Sequence, residues 1–223
     1  MRANVATMKI QRGLKNLSRN AAALFRGRLN AQAIVRATKQ RYGSTTIDEF
    51  KSLVSAGPDQ LALDLGCGRR PQNIFNFPHV SGIDFESHSR PDILAADLSA
   101  ERIPFDSASV DLITCLDFLE HIPRWERMDG KVRFPFVELM NEIHRTLKTG
   151  GLFFSRTPAF PSQQSFRDPT HVNFITEETF PKYFCGPVFA EIYGFSREFE
   201  IVKQGWDGSH LLTLMRKPEP PSY

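Results

Sequence analysis

The chain has 223 residues, of which 41% are hydrophobic and 24% are charged, and this composition excludes an intrinsically disordered protein. Its length allows one substantial domain with appendages rather than two ordinary domains. No apolar run reaches the roughly 18 residues of a membrane-spanning helix, and the N-terminus lacks the apolar core of a secretory signal.

The net charge of +3 is distributed unevenly along the chain. Residues 1–46 contain ten Lys or Arg residues and no acid, so the remainder carries a net charge of −7. We therefore predict a basic helical N-terminal arm over residues 1–58. Any hypothesis of nucleic-acid binding rests on this arm, which also has the composition of an organellar transit peptide.

The cysteines predict the compartment. Cys67, Cys115 and Cys185 are odd in number, lie far apart and form no C-x-x-C pair. This pattern favours a reducing compartment, the cytoplasm by default, and argues against disulfides or a zinc framework. No metal site is predicted.

The predicted elements follow in chain order. Residues 1 to about 45 have helical spacing, and a second helix begins after Thr46 and ends at Gly57-Pro58-Asp59. Short apolar runs then predict strands at Leu61–Leu65, Val80–Ile83, Ile93–Ala95, Val110–Cys115 and Leu152–Ser155. A crossover helix is predicted over Phe134–Leu147, with a terminal strand pair at Phe199–Gln204 and His210–Leu214.

These elements predict an α/β, Rossmann-like, doubly wound domain over residues 59–216. Its sheet has about seven mostly parallel strands with a terminal antiparallel strand. The segment at about 157–196 is too long for an ordinary loop and predicts an aromatic-rich lid at the carboxyl edge of the sheet. Its phenylalanines are expected to form mainly the lid's core, with one or two in contact with an acceptor. Residues 217–223 are expected to be a flexible tail.

The strongest motif is Leu61-Ala-Leu-Asp-Leu-Gly-Cys-Gly68, a strand followed by two glycines that let a ligand approach the backbone. A dinucleotide fingerprint would need a third glycine at position 71, where the chain has Pro71, so a nicotinamide cofactor is disfavoured. Asp84 lies 18 residues after Gly66, near the spacing at which an acid accepts hydrogen bonds from ribose hydroxyls.

Six segments in order resemble the class I S-adenosylmethionine-dependent methyltransferases, in particular the group related to the ubiquinone and menaquinone biosynthesis methyltransferases. The segments are Asp64-Leu-Gly-Cys-Gly68, Gly82-Ile-Asp84, Ala96-Asp97-Leu98, Ile103-Pro-Phe105 with Ser109-Val-Asp-Leu-Ile113, Phe118-Leu-Glu-His-Ile122, and Glu142-Ile-His-Arg-Thr-Leu-Lys-Thr-Gly-Gly151. The resemblance covers Gln60 to about Arg156.

The resemblance implies S-adenosyl-L-methionine as cofactor and assigns residues to it. Gly66, Cys67 and Gly68 would pass close to the methionine part, and Asp64 would orient its amino group. Asp84 would hold the ribose, and Asp97 would meet the adenine amino group. Leu98 would also contact the cofactor, and Leu116 would line the pocket. The sequence departs from the family where Arg70 replaces a third glycine and Pro71 shortens the following helix.

Methyl transfer needs alignment and, for hydroxyl acceptors, a base. The candidates are His171, within the segment Arg167-Asp-Pro-Thr-His171, and Asp117, Glu120 and His121 after the fourth strand. Alternatively, Asp168 and His171 hold the lid by hydrogen bonds. For Glu120 and His121 the resemblance implies instead that they support the pocket wall and start a helix. His144 is expected to have no chemical role.

The acceptor is predicted to be a small molecule, a glycan or a lipid-linked compound. The Asp168-Pro-Thr-His171 segment resembles, more loosely, one in methyltransferases of bacterial surface polysaccharide and small-molecule pathways. The alternatives are an RNA methyltransferase using the basic arm, an arm that contacts a membrane surface peripherally, and a non-catalytic module that binds S-adenosylmethionine.

Overall fold

The computed structural model describes residues 44–186 and 189–219. Its helices are α1 (Ile47–Lys51), α2 (Pro135–Thr146), α3 (Gln164–Arg167) and α4 (Thr179–Tyr183), and it has two 3₁₀ turns, Leu119–His121 and Phe189–Tyr193. Its strands are β1 (Leu61–Leu65), β2 (His79–Asp84), β3 (Ile93–Ala95), β4 (Val110–Leu116), β5 (Glu126–Met128), β6 (Lys131–Arg133), β7 (Leu147–Pro158), β8 (Glu200–Asp207) and β9 (His210–Arg216).

Seven strands form one sheet in the order β3-β2-β1-β4-β7-β9-β8. Strands β1 to β4 and β7 are parallel, and β9 runs antiparallel to both of its neighbours. The predicted fold class is therefore confirmed. The chain moves outward from β1 to β3 and then returns to place β4 on the other side of β1. This reversal of strand order is where open α/β sheets leave a crevice for ligands.

Both faces of the sheet are covered, which explains why the central strands β1 and β4 are mostly buried and mostly apolar. On one face, α2 buries Phe136, Met140 and Ile143, which follow helical spacing, against residues such as Phe153. On the other face, Phe154 packs in a second cluster. The alternation of Phe153 and Phe154 thus fills two separate cores.

Residues 44–54 pack on the second face. The backbone N–H of Thr45 donates to the carbonyl of Trp206 at 2.8 Å, and Phe50 on α1 is fully buried with its ring 5.4 Å from that of Phe154. This part of the predicted arm is therefore continuous with the domain core. Residues 1–43, with the ten basic side chains, lie outside the described residues, as does the tail from residue 220.

Two features of the sheet differ from the sequence-based prediction. Strand β7 begins at Leu147 instead of Leu152, because the chain leaves α2 directly in an extended conformation. The β5–β6 hairpin was not predicted, although Asp129-Gly130 is its turn, with φ values of 51° and 77°. An Asp-Gly dipeptide between short strands is a recognised hairpin signal.

The lid consists of α3, α4 and the turn Phe189–Tyr193. Phe180 and Phe184 are buried, as predicted for a lid core, but that prediction is wrong for four others: Phe160, Phe166, Phe174 and Phe189 are 38% to 55% exposed. The segment is too short and irregular to enclose all six, and Phe166 and Phe174 instead stack on each other at 4.7 Å. Within the two described ranges, no helix is long and apolar enough to cross a membrane.

Candidate active site

The turn after β1 is fastened to the end of β2. The N–H groups of Gly66 and Cys67 donate to the carbonyl of Ile83 at 2.8 and 3.2 Å. The N–H of Gly68 donates to Asp84 Oδ2 at 2.8 Å. Gly66 and Gly68 have φ values of 68° and 61°, a region that glycine enters without steric cost. The two glycines of the motif therefore make a turn that brings bare backbone beside the acid of β2.

Gly66 also leaves no room for a side chain. A Cβ atom there would lie 2.2 Å from Cδ2 of Phe118, the residue that begins the turn after β4. Phe118 therefore packs directly on the backbone of Gly66. This close approach brings the segment after β4 to the mouth of the crevice between β1 and β4.

A cleft of about 500 Å³ opens at this point, within the size range of small-ligand sites, which is roughly 300–1,000 Å³. Four residues assigned to the cofactor by resemblance line it: Gly66, Asp84, Asp97 and Leu98. Further residues that were not predicted from the sequence to bind the cofactor also line the cleft, and they include Phe85, Ala96, Phe118, Ile122 and Pro123. Phe85 is 74% exposed. Its position directly after Asp84 is the sequence feature from which its place at the cleft could have been predicted.

Asp84 has the geometry of a ligand-binding acid. It is buried at the end of β2, and while Oδ2 accepts from Gly68, Oδ1 makes no hydrogen bond within the described residues. Asp97 follows β3, and its Oδ1 accepts from the N–H and hydroxyl of Ser99 at 3.0 and 2.6 Å. Both carboxylates thus line the cleft, Asp84 held by the turn after β1 and Asp97 by the turn that carries it.

The other four residues assigned to the cofactor do not line the cleft. Asp64 lies below the turn, where Thr114 Oγ1 and the Gln72 N–H donate to its two oxygens at 2.7 and 2.9 Å. Burial raises its pKa to about 6 against the lowering effect of these hydrogen bonds. Its structural role is to support the turn. A direct contact with the cofactor's amino group stays a prediction.

Cys67, Gly68 and Leu116 are also set back. The Cys67 thiol packs over β2, since a Cβ at Gly82 would lie 2.4 Å from its sulfur. Leu116 packs against the second core cluster. Gly68 contributes its backbone to the turn, and the side chains of Cys67 and Leu116 pack inside the protein. The predicted contacts of these three residues with the cofactor stay predictions.

The three candidate catalytic residues lie at one side of this cleft. Asp117 and His121 line it, and the ring of His171 is 4.9 Å from that of His121 at an interplanar angle of 81°. Sequence positions 50 residues apart are therefore brought together. His144, by contrast, is buried on α2 against Phe199. Burial, with the charges of Lys217 and Arg197, lowers its pKa to about 4.

Asp117 is held as an ion. It has a φ of 53° and pairs with Arg156 and with Nε2 of His210, the latter at 3.1 Å. Burial alone would raise its pKa, but the hydrogen bond from His210 and the charge of Arg156 outweigh burial and lower it. A carboxylate with a lowered pKa is a poor proton acceptor near neutral pH.

The histidine pair is fixed by hydrogen bonds between the lid and the turn after β4. The N–H groups of Val172 and Asn173 both donate to the carbonyl of Glu120 at 2.9 Å, and Asn173 Nδ2 donates to the carbonyl of Leu119 at 3.1 Å. Asp168 Oδ1 accepts from the N–H and hydroxyl of Thr170 at 2.9 and 2.7 Å. The lid-holding role considered for Asp168 is thus present, and it places His171 beside the cleft.

A second cavity, of about 620 Å³, is lined mainly by aromatic residues. They include Trp125, Phe134, Tyr183, Phe189 and Tyr193, together with Arg124 and Lys182. Pro123 lines the first cleft and Arg124 this cavity, so consecutive residues of one segment border both spaces.

A family model described as a methyltransferase domain matches residues 32–185, and a search of curated proteins finds no match. A chain from the complex of the Haloferax volcanii Trm112 methyltransferase activator with its methyltransferase has a TM-score of 0.52 at 14% identity, covering 82% of this chain and 93% of that one. A candidate methyltransferase from Bacillus halodurans has a TM-score of 0.54 at 13% identity, covering 77% and 98%. The YcgJ protein from Bacillus subtilis has a TM-score of 0.53 at 14% identity, covering 78% and 98%. At these identities the likeness shows the fold alone.

Proposed function

The chain belongs to the methyltransferase-domain family, within the class I S-adenosylmethionine-dependent methyltransferases, and on that premise we propose that it methylates a small-molecule, glycan or lipid-linked acceptor held beneath the lid. The observation that supports this proposal is the shared cleft of Gly66, Asp84 and Asp97 at the carboxyl ends of parallel strands. Membership in this enzyme family leaves no reason to retain the non-catalytic alternative.

The residues of the cleft fit S-adenosyl-L-methionine. The open oxygen of Asp84 is suited to accept hydrogen bonds from ribose hydroxyls, and Asp97 is suited to accept one from the adenine amino group. Leu98 and Phe85 offer apolar surface for the base, and Gly66 offers backbone to the methionine part. When bound, the cofactor supplies an electrophilic methyl group on its sulfonium, so the protein chiefly aligns the acceptor and excludes water.

The acceptor is proposed to enter from the lid side. Arg124 lines the aromatic cavity, and the preceding residue, Pro123, lines the cofactor cleft. The cavity combines aromatic rings with the charged side chains of Arg124 and Lys182, which suits a partly apolar compound with polar groups. We place activation of the acceptor's nucleophile at His121 and His171. Asp117, which is ionised and paired, orients the neighbouring groups.

The second candidate is an RNA methyltransferase, and the charge asymmetry favours it. Ten basic residues precede a segment with a net charge of −7, and a basic arm would bind phosphates in a salt-dependent way. The same arm also suits peripheral contact with an anionic membrane surface.

The cytoplasm is the proposed compartment. Cys67, Cys115 and Cys185 are all buried and free, and free buried thiols are typical of proteins from reducing compartments.

The cofactor site is tested by Asp84→Asn, which keeps an oxygen that can accept from Gly68 but removes the charge. Because a hydrogen bond to a charged group contributes about 1.5–3 kcal/mol, we expect S-adenosylmethionine to bind about 10- to 100-fold more weakly by calorimetry. The exposed Asp106→Asn is the matched control and should bind as the wild type does. Unchanged affinity in Asp84→Asn would contradict the ribose assignment.

The acceptor class is tested by transfer of a labelled methyl group to cell extracts separated into small molecules, glycans, lipids and nucleic acids. We expect label in one of the first three fractions. Label confined to RNA, with activity that falls steeply between low and moderate salt, would favour the second candidate.

A further inference from the structure

Glu120, His121 and His171 form a cluster whose chemistry the cofactor does not explain. One carboxylate oxygen of Glu120 and one ring nitrogen of each histidine all lie within 4.8 Å of one another. Ligand atoms that bind one cation at about 2.0–2.2 Å lie about 3–4 Å from each other. Small side-chain rotations would therefore bring the three atoms onto a common ion.

The cluster is held by the backbone. Glu120 and His121 belong to the 3₁₀ turn after β4, whereas His171 belongs to the lid. The two N–H groups of Val172 and Asn173 on the carbonyl of Glu120 fix the distance between these segments. The backbone segments that carry the three donors are thus held together before any ion binds, which reduces the entropic cost of binding it.

The hydrogen bonds of both imidazoles occupy Nδ1. Nδ1 of His171 is 3.4 Å from the carbonyl of Ser165, which can only accept. The Thr170 hydroxyl donates to Asp168 at 2.7 Å, so it accepts from Nδ1 of His121 at 3.0 Å. In the neutral form of each ring, Nε2 is then the nitrogen with the free lone pair. Histidines that bind metals commonly donate their other N–H to a carbonyl or, directly or through a hydroxyl, to a carboxylate.

The charge of Glu120 calls for a cation. Glu120 is 1% exposed, and its carboxylate accepts a hydrogen bond from the Thr157 hydroxyl at 2.8 Å. Among the described residues it makes no ion pair. A buried carboxylate without a cationic partner is unfavourable, and a divalent ion would compensate its charge.

We propose that Glu120, His121 and His171 bind a divalent transition-metal ion, such as Zn²⁺ or Mn²⁺, at the edge of the cofactor cleft. Two imidazoles and one carboxylate are a donor set that suits these ions and leaves coordination positions open. His121 itself lines the cleft, so those positions would face the space beside the methyl donor.

The ion's role in catalysis rests on the proposed function. The ion would lower the pKa of an acceptor hydroxyl that it binds, and the hydroxyl proton would pass to solvent before the cleft closes for methyl transfer. An oxygen lone pair of the resulting alkoxide forms the bond to the methyl carbon, while the carbon–sulfur bond breaks and its electron pair goes to sulfur. The site therefore predicts an acceptor that is methylated on oxygen.

Metal binding is tested by calorimetry with ZnCl₂ and MnCl₂ on the untagged, chelator-treated full chain. We expect one ion per chain in the wild type, and more than about 100-fold weaker binding in His121→Ala and in His171→Ala, since even changes outside the ligand set cost about 10- to 100-fold. The exposed His79→Ala is the matched control and should bind as the wild type does. With Co²⁺, the wild type should show a visible absorption band that both variants lose.

Binding of S-adenosylmethionine, measured on the same samples, separates the two proposals. A wild type that binds S-adenosylmethionine but neither ion overturns the metal site alone, and ion binding without S-adenosylmethionine binding overturns the proposed function alone. Equal ion affinity in the wild type and both histidine variants also overturns the metal site. If circular dichroism shows that a histidine variant is unfolded, Glu120→Gln replaces it. This variant keeps an oxygen that can accept from Thr157 but removes the carboxylate charge. It too should lose ion binding.

Discussion

Gly66 is the residue on which the cofactor cleft most directly depends. Its positive φ and the ring of Phe118 against its backbone are two independent reasons for glycine at this position. The adjacent Gly68 has only the first reason, because nothing lies within 4 Å of where its Cβ would be. The two glycines of the motif therefore differ in what a substitution would disturb.

Replacing Gly66 with Ala should displace Phe118 into the cleft. We expect the free energy of unfolding to fall by at least about 1–2 kcal/mol, the backbone cost of a left-handed conformation, and S-adenosylmethionine to bind at least tenfold more weakly. Denaturant unfolding and calorimetry measure the two effects. Gly208→Ala, at a φ of 60° in open space, should show the stability loss without the binding loss. Wild-type affinity in Gly66→Ala would contradict the contact with Phe118.

Asp64 makes the free energy of unfolding depend on pH, and one substitution can isolate this contribution. Its pKa rises from an ordinary 3.8 to about 6 in the folded state, chiefly through burial. The folded state therefore holds the proton more tightly than the unfolded chain. The stabilisation that results is complete below pH 3.8 and is lost as the pH rises through about 6.

Asp64→Asn should remove this dependence, because an amide has no proton to release in this range. Between about pH 4 and pH 7.5, the free energy of unfolding of the wild type should fall by about 2–2.5 kcal/mol relative to that of the variant. Urea denaturation at both pH values provides the measurement, with Asp106→Asn as an exposed control that should follow the wild type. Parallel pH profiles for the wild type and Asp64→Asn would refute the assignment.

At the scale of elements, one buried side chain of the lid bonds to the turn after β4. Asn173 is 1% exposed, donates to the carbonyl of Leu119, and accepts from Nε of Arg124 at 2.8 Å. Together with two backbone hydrogen bonds, these contacts bring the lid segment to the turn after β4. The side chain therefore couples the acceptor side of the site to the cofactor side.

Asn173→Ala should loosen the lid without dissolving the sheet. The substitution removes the hydrogen bonds of Asn173 to the Leu119 carbonyl and the Arg124 guanidinium. We therefore expect the free energy of unfolding to fall by about 1–3 kcal/mol. Hydrogen exchange at residues 168–174 should become faster, while exchange in β1 stays unchanged. Asn141→Ala, which removes one hydrogen bond to the carbonyl of Gly194, should leave residues 168–174 protected. Unaltered exchange at those residues in Asn173→Ala would contradict the coupling.

At the scale of the whole molecule, the order of the sheet predicts a gradient of stability. Strands β1, β4 and β7 have a hydrogen-bonded neighbour on each side, whereas β3 and β8 lie at the edges. Native-state hydrogen exchange should therefore be slowest in β1 and β4 and faster in β3 and β8, because edge strands open without disrupting the centre. Exchange in β1 that is as fast as in β8 would contradict a cooperative central sheet.

The fold was largely predictable because its signals are local. Apolar runs fixed the positions of β1 to β4, and the spacing of Phe136, Met140 and Ile143 fixed α2. The order of the six resembled segments added the family. The β5–β6 hairpin was missed, although Asp129-Gly130 marked it, since strands of three residues carry little periodicity. The exposure of four lid phenylalanines depends on what packs above them, which composition does not specify.

The sequence by itself determined the parallel sheet, the turn at Gly66 and the acids at the ends of β2 and β3, because strand ends and glycine turns are set by neighbouring residues. Only the tertiary structure decided that Asp64 supports the turn from below, that Asp117 is paired with Arg156 and His210, and that His171 meets Glu120 and His121. Those outcomes depend on contacts between residues dozens of positions apart. No local pattern encodes the distances at which such side chains meet.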